Sequence, residues 1–430
     1  MSRKLAIADA DIMTNRLKRR LDKAIPPSQA AYRSGHSTTE HVLALKLPIE
    51  RTLTAKNKTL YVLLLDMSKA FDSIDRDRKQ LLEDLNEIID KDELQIIQLL
   101  LNVKLSVRCG NELSEPFQTD TGAPQGDCCS ATEFTFYLAK TLELHYNRKA
   151  QIAEHDYALQ STFSQPNHMT EHDYAAKIQQ RHFDINMEYA NDITEVTTNR
   201  TEIENQKIQL PNILKSRNLL VNKTKTEQYT VQSNDDGSKK CKLLGSYLDT
   251  DTDIKNRKSK FFNAAEQLKD IFFHPRLPHS TKAGAFNTYL SSIFLYNSKL
   301  WTLTETALRN IDSFHRRVLR TYVLNTKYPE IVSNEEVYRI TKQTPWSTII
   351  KRRRLKWLGH AYRLPKNTPA AKALDYSNEL YVKKRGRPRL TWNTQCKKQL
   401  INLGHDVTTN ELQELADNKS LWKDICKVQN

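Results

Sequence analysis

The side chains best suited to chemistry are a few carboxylates and amides in short polar segments that follow apolar runs. In Tyr61-Val-Leu-Leu-Leu-Asp66-Met-Ser-Lys-Ala-Phe71-Asp72, an apolar run of strand length ends in a carboxylate and passes into a turn-forming stretch, which sets Asp66 at a strand's end. A carboxylate held rigidly at the mouth of a cleft suits a hard cation such as Mg²⁺, which takes oxygen ligands and shares them with substrate phosphates. The same pattern also fits an aspartate that only ends a strand. Further on, Met187-Glu-Tyr189-Ala-Asn191-Asp192-Ile-Thr-Glu-Val196 reads as a turn between two strands. At a tight hairpin tip, neighbouring residues 191 and 192 can both reach one site.

Two loops add groups suited to a nucleotide. Gln29-Ala-Ala-Tyr-Arg33-Ser-Gly35-His-Ser37-Thr-Thr-Glu40 is a Gly-containing loop that enters a helix through a hydroxyl cap with Glu three residues on. Arg33, beside the free N–H groups of that helix start, is a candidate phosphate contact, and equally a loop arginine in solvent. Thr119-Asp-Thr-Gly122-Ala-Pro124-Gln125-Gly126-Asp127-Cys-Cys-Ser130 is forced into a tight turn by Pro and Gly. Gln125 at its tip can touch a base or sugar without reading sequence.

The elements that must position these groups follow from periodicity. Residues 9–24 read as an amphipathic helix stopped by Pro26-Pro27. Helical spacing recurs over 81–101, a hairpin is expected over 104–118, and a helix with an aromatic face over 134–144. Residues 150–182 are polar and weakly periodic, a surface insertion whose His155, His168, His172 and His182 read as scattered surface histidines. A helix over 203–216 leads to a strand over 219–229 and a hairpin near 241–247. Beyond residue 255 the pattern is helical: 261–273, 281–296 and 303–324 read as three helices.

Composition narrows the partners. The chain of 430 residues carries 66 Lys+Arg against 51 Asp+Glu, a net charge of +15, with a pI near 9.3 and mean hydropathy of -0.66. That balance favours a polyanion, with nucleic acid the first choice. The six cysteines have no C-x-x-C spacing and read as free, mostly buried thiols in a reducing compartment. No segment has the length and apolarity of a signal peptide core or a bilayer span, so the expectation is a soluble intracellular protein of the cytoplasm or nucleus, with no membrane partner.

The last hundred residues are the most basic. Lys351, Arg352, Arg353, Arg354, Lys356 and Arg363 interleave with Trp357 and Tyr362, and Arg385, Arg387 and Arg389 follow in Lys383-Lys-Arg385-Gly386-Arg387-Pro388-Arg389. Rings stack on bases and cations meet phosphates, so both runs are candidate nucleic-acid contacts. Arg385-Gly-Arg-Pro388 also has the core of an AT-hook, a minor-groove element.

In order, LLLDMSKAFDSID, GAPQGDCCS, YANDIT, LLVNKTKTE and KLLGSYL resemble the reverse transcriptase of non-LTR retrotransposons, and YNSKLWTLT, IIKRRRLKWLGHAYR and RGRPRLTW resemble the region that follows the polymerase core in jockey-like elements. The resemblance implies an α+β, right-hand polymerase fold with fingers and palm over 1–250, a helical thumb-like domain over 251–330 and a basic helical C-terminal region over 331–430. It implies RNA-directed DNA synthesis, joining a DNA primer 3′-hydroxyl to a dNTP on an RNA template with two Mg²⁺ ions, or Mn²⁺ in their place. Asp66, the Met67 carbonyl and Asp192 would hold the ions. Phe71 would exclude a ribose 2′-hydroxyl, Gln125 would contact template and nucleotide, Arg33 the triphosphate, and Lys225 would donate a proton to pyrophosphate; Tyr189 would line the substrate site.

Two departures qualify that expectation. The hairpin expected to read Tyr-Ala-Asp-Asp reads Tyr189-Ala190-Asn191-Asp192. Asn191 keeps a carbonyl oxygen and loses the charge, a loss expected to cost on the order of 10²-fold in rate. The chain also begins inside the fingers with no nuclease segment ahead of it, as a 5′-truncated copy would. The competing readings are a catalytically inactive RNA- or DNA-binding remnant, and a DNA-binding regulator built on residues 340–430.

Overall fold

The structure is a computed structural model that describes residues 3–74, 80–102, 104–118, 122, 129–162, 182–327 and 329–427. Its described residues divide into two compact units, one of residues 1–41 and 60–230, the other of 42–59 and 231–430. The segments 251–330 and 331–430 both fall in the second unit. Among the described residues no helix is long and apolar enough to cross a membrane.

The first unit is built around a sheet. Strand β1 (Thr59–Leu65) is rich in β-branched and leucine side chains, and Leu60, Val62, Leu63 and Leu65 are buried. After the short strand β2 (Met67–Ser68) come helices α3 (Gln80–Asn86) and α4 (Lys91–Leu101), so the single helix expected over 81–101 is broken. The break is local: Asp90 caps α4, its carboxylate accepting from Glu93 N at 3.1 Å, and a capped start ends whatever precedes it. The hairpin over 104–118 forms as two short ladders, β3 (Lys104–Leu105) with β6 (Phe117–Gln118) and β4 (Arg108–Cys109) with β5 (Glu112–Leu113).

Helix α1 (Arg3–Ala24), which precedes α2 (Thr38–Thr54), and helix α5 (Ser130–Thr162) run longer than their periodicity suggests, α5 taking up the first part of the expected insertion, His155 included. His168 and His172 lie outside the described residues. Strands β7 (Asp184–Tyr189) and β8 (Asp192–Thr197) form the hairpin, followed by helix α6 (Arg200–Ser216), whose start is capped by Asn199. The strand expected over 219–229 is two pieces, β9 (Leu220–Val221) and β10 (Glu227–Gln232). The sheet order is β10-β1-β8-β7. On it lies a core of Leu17 and Leu21 from α1, Leu81 and Leu85 from α3, Phe134, Phe136 and Leu138 from α5 and Leu210 and Leu214 from α6. Each such fully buried side chain contributes about 1.5–3 kcal/mol. The basic face of α1 is spent partly inside the unit, since Arg16 and Arg20 pair with the buried Glu93 at 2.9 and 2.5 Å.

The second unit is helical apart from a short ladder, β11 (Lys242–Leu243) with β12 (Ser246–Tyr247). Phe261, Phe286, Phe294, Phe314 and Trp346 form its aromatic core. Trp301 joins that core and donates its Nε1–H to the buried Asp253 at 2.8 Å, which keeps an indole and a carboxylate satisfied together. The helices expected over 281–296 and 303–324 form, the first interrupted by a wide turn at Phe286–Ser291 and the second ending in one at Arg320–Leu324.

Candidate active site at the end of the central strand

The register of the sheet sets the site. β1 runs antiparallel to β8 with Tyr61 opposite Thr197 and Leu65 opposite Ile193. One residue further along the same register, Asp66 comes opposite Asp192. The two carboxylates feel each other: burial, and then the Asp66 charge, push the Asp192 carboxyl up to about 6, while Lys225 pulls it down. Lys225 Nζ lies 3.6 Å from Asp66 Oδ2.

Lys225 reaches that place through a local turn. Asn222 N donates to the Asp66 carbonyl at 2.7 Å, tying the segment after β9 to the end of β1, and the Asn222 side chain accepts from Thr224 N at 3.1 Å. The Asn222 carbonyl then accepts from Lys225 N and Thr226 N, which curls the chain back toward Asp66. Met67 is buried and pairs with Val221 in the ladder β2–β9.

The hairpin tip is a two-residue connection in which Ala190 has φ of 54°. That left-handed conformation at the first loop position is usually glycine's, and costs an L residue about 1–2 kcal/mol. Gln29 holds it. The Gln29 side-chain oxygen accepts from Ala190 N at 3.1 Å and from Ala31 N at 3.0 Å, and its amide nitrogen donates to the Ala190 carbonyl at 3.3 Å. The backbone around it runs beside β7, with Glu188 N donating to the Ser28 carbonyl and Ala30 N donating to that of Glu188. Sequence reasoning passed over Gln29 because nothing local marks a loop glutamine as the partner of a hairpin far along the chain. Tyr189 packs edge-on against the buried His41, centroids 5.8 Å apart.

Phe71 sits in a single helical turn, Ala70–Ser73, after Lys69 in the left-handed region. Its ring stacks on Phe134 at 4.3 Å and meets Tyr32 edge-on at 6.5 Å. Gly122 donates its N–H to the Ile74 carbonyl at 2.7 Å, and a Cβ there would press on the Asp72 backbone at 3.1 Å, so with φ of +83° this position needs glycine. The rest of that loop through residue 128, Gln125 included, lies outside the described residues.

Other expected contacts are placed elsewhere. Arg33 is spent within its own unit: Nε donates to Asp22 Oδ1 at 2.6 Å, Nη1 to the carbonyls of Pro26 and Gln29, and Nη2 to that of Asp22. In this arrangement it orders the loop that carries Gln29. In the second unit the helix Trp346–Tyr362 exposes Arg353 and Lys356, with Lys351 and Arg352 partly covered. Arg354 is corrected: it is 1% exposed and its guanidinium donates to the Trp301 carbonyl and to Gln399, so it is out of reach of a phosphate. Arg363 is partly covered and donates to the Ala416 carbonyl at 2.6 Å. Trp357 and Tyr362 are buried, so the interleaved aromatics there belong to packing rather than to stacking on bases. Arg385, Arg387 and Arg389 are exposed. Of the cysteines described, Cys129, Cys241, Cys396 and Cys426 are buried and Cys109 is exposed.

Asp66 and Asp192 offer hard oxygen donors of like charge, and Asp66 Oδ2 is buried with no hydrogen-bond partner among the described residues. A carboxylate oxygen that faces a lysine ammonium at 3.6 Å without a hydrogen bond, beside a second carboxylate, suits a divalent cation. Among the described residues no group of three His, Cys, Asp or Glu side chains is placed to hold a metal.

Residues 9–248 match the family model described as reverse transcriptase (RNA-dependent DNA polymerase). No curated protein matches the chain. Among solved structures, telomerase from Candida tropicalis in complex with the TWJ fragment of telomeric RNA is similar at 13% identity and a TM-score of 0.41, covering 96% of this chain and 56% of that one. The corresponding complex from Candida albicans gives 13% and 0.35, covering 86% and 57%, and apo telomerase from Candida tropicalis 12% and 0.37, covering 96% and 61%. The chain spans less than two thirds of each of these solved chains.

Proposed function

The chain belongs to the reverse transcriptase (RNA-dependent DNA polymerase) family, by which it is an RNA-directed DNA polymerase with the right-hand polymerase fold, and we propose that it is of the non-LTR retrotransposon type, slowed by Asn191. The observation that carries the proposal is the meeting of Asp66 and Asp192 across β1 and β8, with Lys225 beside them. Asp66, the Met67 carbonyl and Asp192 would hold two Mg²⁺ or Mn²⁺ ions. When bound, such ions polarise the primer 3′-hydroxyl and neutralise charge on the departing pyrophosphate.

The chain's own groups do the rest. Lys225, 3.6 Å from Asp66, supplies a proton to the leaving pyrophosphate oxygen. The Phe71 ring, backed by Phe134, stands against a ribose 2′-hydroxyl and so favours dNTPs. Tyr189 lines the nucleotide site, and Gln125 contacts the template and the incoming nucleotide. Lys351, Arg352, Arg353 and Lys356 track the RNA template or DNA primer backbone. The protein works inside the cell, in cytoplasm or nucleus, where such templates are found.

A second reading has its own support. Among the described residues no third His, Cys, Asp or Glu joins Asp66 and Asp192, and a remnant that binds primer-template without synthesis also fits them. Primer extension on an RNA template, with Mg²⁺ or Mn²⁺, separates the two for the chain and for Asn191→Asp. A gain on the order of 10²-fold in Asn191→Asp, lost again when Asp66→Asn is added, supports the polymerase. No synthesis in either, with primer-template binding retained, leaves the binding reading.

A further inference from the structure

The loop between Tyr381 and Thr391 is fastened at both ends and bare in the middle. On the N-terminal side Lys56 N donates to the Val382 carbonyl at 2.8 Å, Lys384 N to that of Thr54 at 3.1 Å, and Ala55 pairs with Lys383 as an antiparallel bridge. Tyr381 OH bonds Thr54 Oγ1 at 2.7 Å, and Arg51 lies over its ring. On the C-terminal side Arg389 pairs with Asp236 at 3.1 Å, and Thr391 caps the helix Trp392–Ile401 above the fully buried Trp392. A segment held this firmly would ordinarily fold its side chains onto something.

Its tip does not. Arg385, Gly386, Arg387 and Pro388 are all exposed. Among the described residues, the guanidinium groups of Arg385 and Arg387 make no ion pair or hydrogen bond. Gly386 has φ of +111° with open space where a Cβ would stand, so glycine is needed there for conformation and not for lack of room. Pro388 removes a donor and fixes its own φ, which stiffens the tip.

We propose that this tip, Arg385-Gly386-Arg387-Pro388, enters the minor groove of A·T-rich duplex DNA, and that the second unit is thereby a duplex-DNA anchor independent of any synthesis at Asp66. The minor groove is only about 6 Å wide, so an insertion into it needs a stretch without bulk between its charged groups, which Gly386 provides. A·T tracts narrow that groove and deepen its negative potential, and arginine is the side chain drawn there. A single strand is a poorer fit: sequence-tolerant binding of single strands relies on exposed rings, whereas Tyr381 is hydrogen-bonded under Arg51 and Trp392 is buried. Duplex RNA is poorer too, because its minor groove is wide and shallow.

Fluorescence anisotropy of the full chain at fixed salt, with A·T-tract and G·C duplex DNA, duplex RNA and single-stranded RNA of equal length, tests this. The expected result is about tenfold or greater preference for the A·T duplex, and displacement from it by netropsin, which fills that groove. The double variant Arg385→Ala/Arg387→Ala should lose the preference and lower the salt slope by about 2, with an unchanged melting temperature because neither side chain is used within the fold. Equal affinity for both DNA duplexes, failure of netropsin to compete, a double variant that loses RNA affinity as much as A·T affinity, or one that keeps the A·T preference would overturn the assignment. Primer extension is a separate readout, so a chain inert as a polymerase leaves this result standing.

Discussion

Gln29 holds Ala190 by both of its backbone polar groups. Its side-chain oxygen takes the Ala190 N–H at 3.1 Å and its amide gives a hydrogen to the Ala190 carbonyl at 3.3 Å, at a residue only 1% exposed. A hairpin tip in a left-handed conformation, two residues from Asp192, is thus fixed from the loop that follows α1. Arg33 holds that loop in turn, through Asp22, Pro26 and Gln29.

Gln29→Ala leaves the buried Ala190 N–H without an acceptor and is expected to cost about 1–3 kcal/mol. Amide hydrogen exchange at Ala190 should quicken while the middle of β1 keeps its protection. In the Asn191→Asp background, synthesis should fall about tenfold or more as Asp192 loses its fixed place. Unchanged exchange at Ala190 would show that the side chain does not hold the tip.

Phe71 has one face on Phe134 and an edge toward Tyr32. Phe71→Val shortens the side chain at the place assigned to the ribose. Competition between rNTPs and dNTPs in the Asn191→Asp background should then shift toward rNTPs by about tenfold or more. A ratio that stays put assigns Phe71 to packing alone.

Gly359 lies mid-helix, where alanine would ordinarily add about 1 kcal/mol of helix propensity. Here a Cβ would overlap the indole of Trp422, which is 3% exposed and donates its Nε1–H to the Leu355 carbonyl at 3.0 Å. A buried ring anchored in this way cannot step aside cheaply, so the clash outweighs the propensity. Gly359→Ala should destabilise by about 1–3 kcal/mol net in urea unfolding.

His315 stacks on Trp346 at 4.1 Å with Phe286 beyond, and neither ring nitrogen finds a partner among the described residues. Burial, with Arg316 adding to it, lowers its pKa to about 3. The unfolded chain, near 6.5, takes up the proton first, so this group's contribution is fully present above about pH 6.5 and declines as pH falls toward 3, by up to about 1.4 kcal/mol per unit. His315→Phe puts an apolar ring of similar shape in that slot. Its stability at pH 7 should match or exceed the parent's, and the decline between pH 6 and 4 should be shallower.

Much of the scaffold was legible because local patterns carry it. The leucine run before Asp66, the turn at 190–191, the Pro26-Pro27 stop and the helical spacing of 203–216 each act through neighbours along the chain. The break between α3 and α4 is hidden in the sequence, although Asp90 followed by Glu93 is a capping signal, because apolar spacing continues across it. The interleaved basic and aromatic residues of 351–363 have the pattern of a nucleic-acid face. Arg354, Trp357 and Tyr362 turn inward instead, since a helix packed on several sides buries what its sequence presents all round.

By itself the sequence determined which residues could act: a carboxylate at the end of a leucine strand, an Asn-Asp pair at a hairpin tip, an arginine-glycine-arginine loop. Only the tertiary structure decided which of them meet. Asp66 and Asp192 come together through the β1–β8 register, Ala190 is held by Gln29, and Arg354 is drawn inward by the carbonyl of Trp301, 53 residues away. The physical reason is range: strand and turn preferences are settled between adjacent residues, whereas pairing across a sheet and satisfaction of a buried guanidinium depend on groups that only the folded chain brings near.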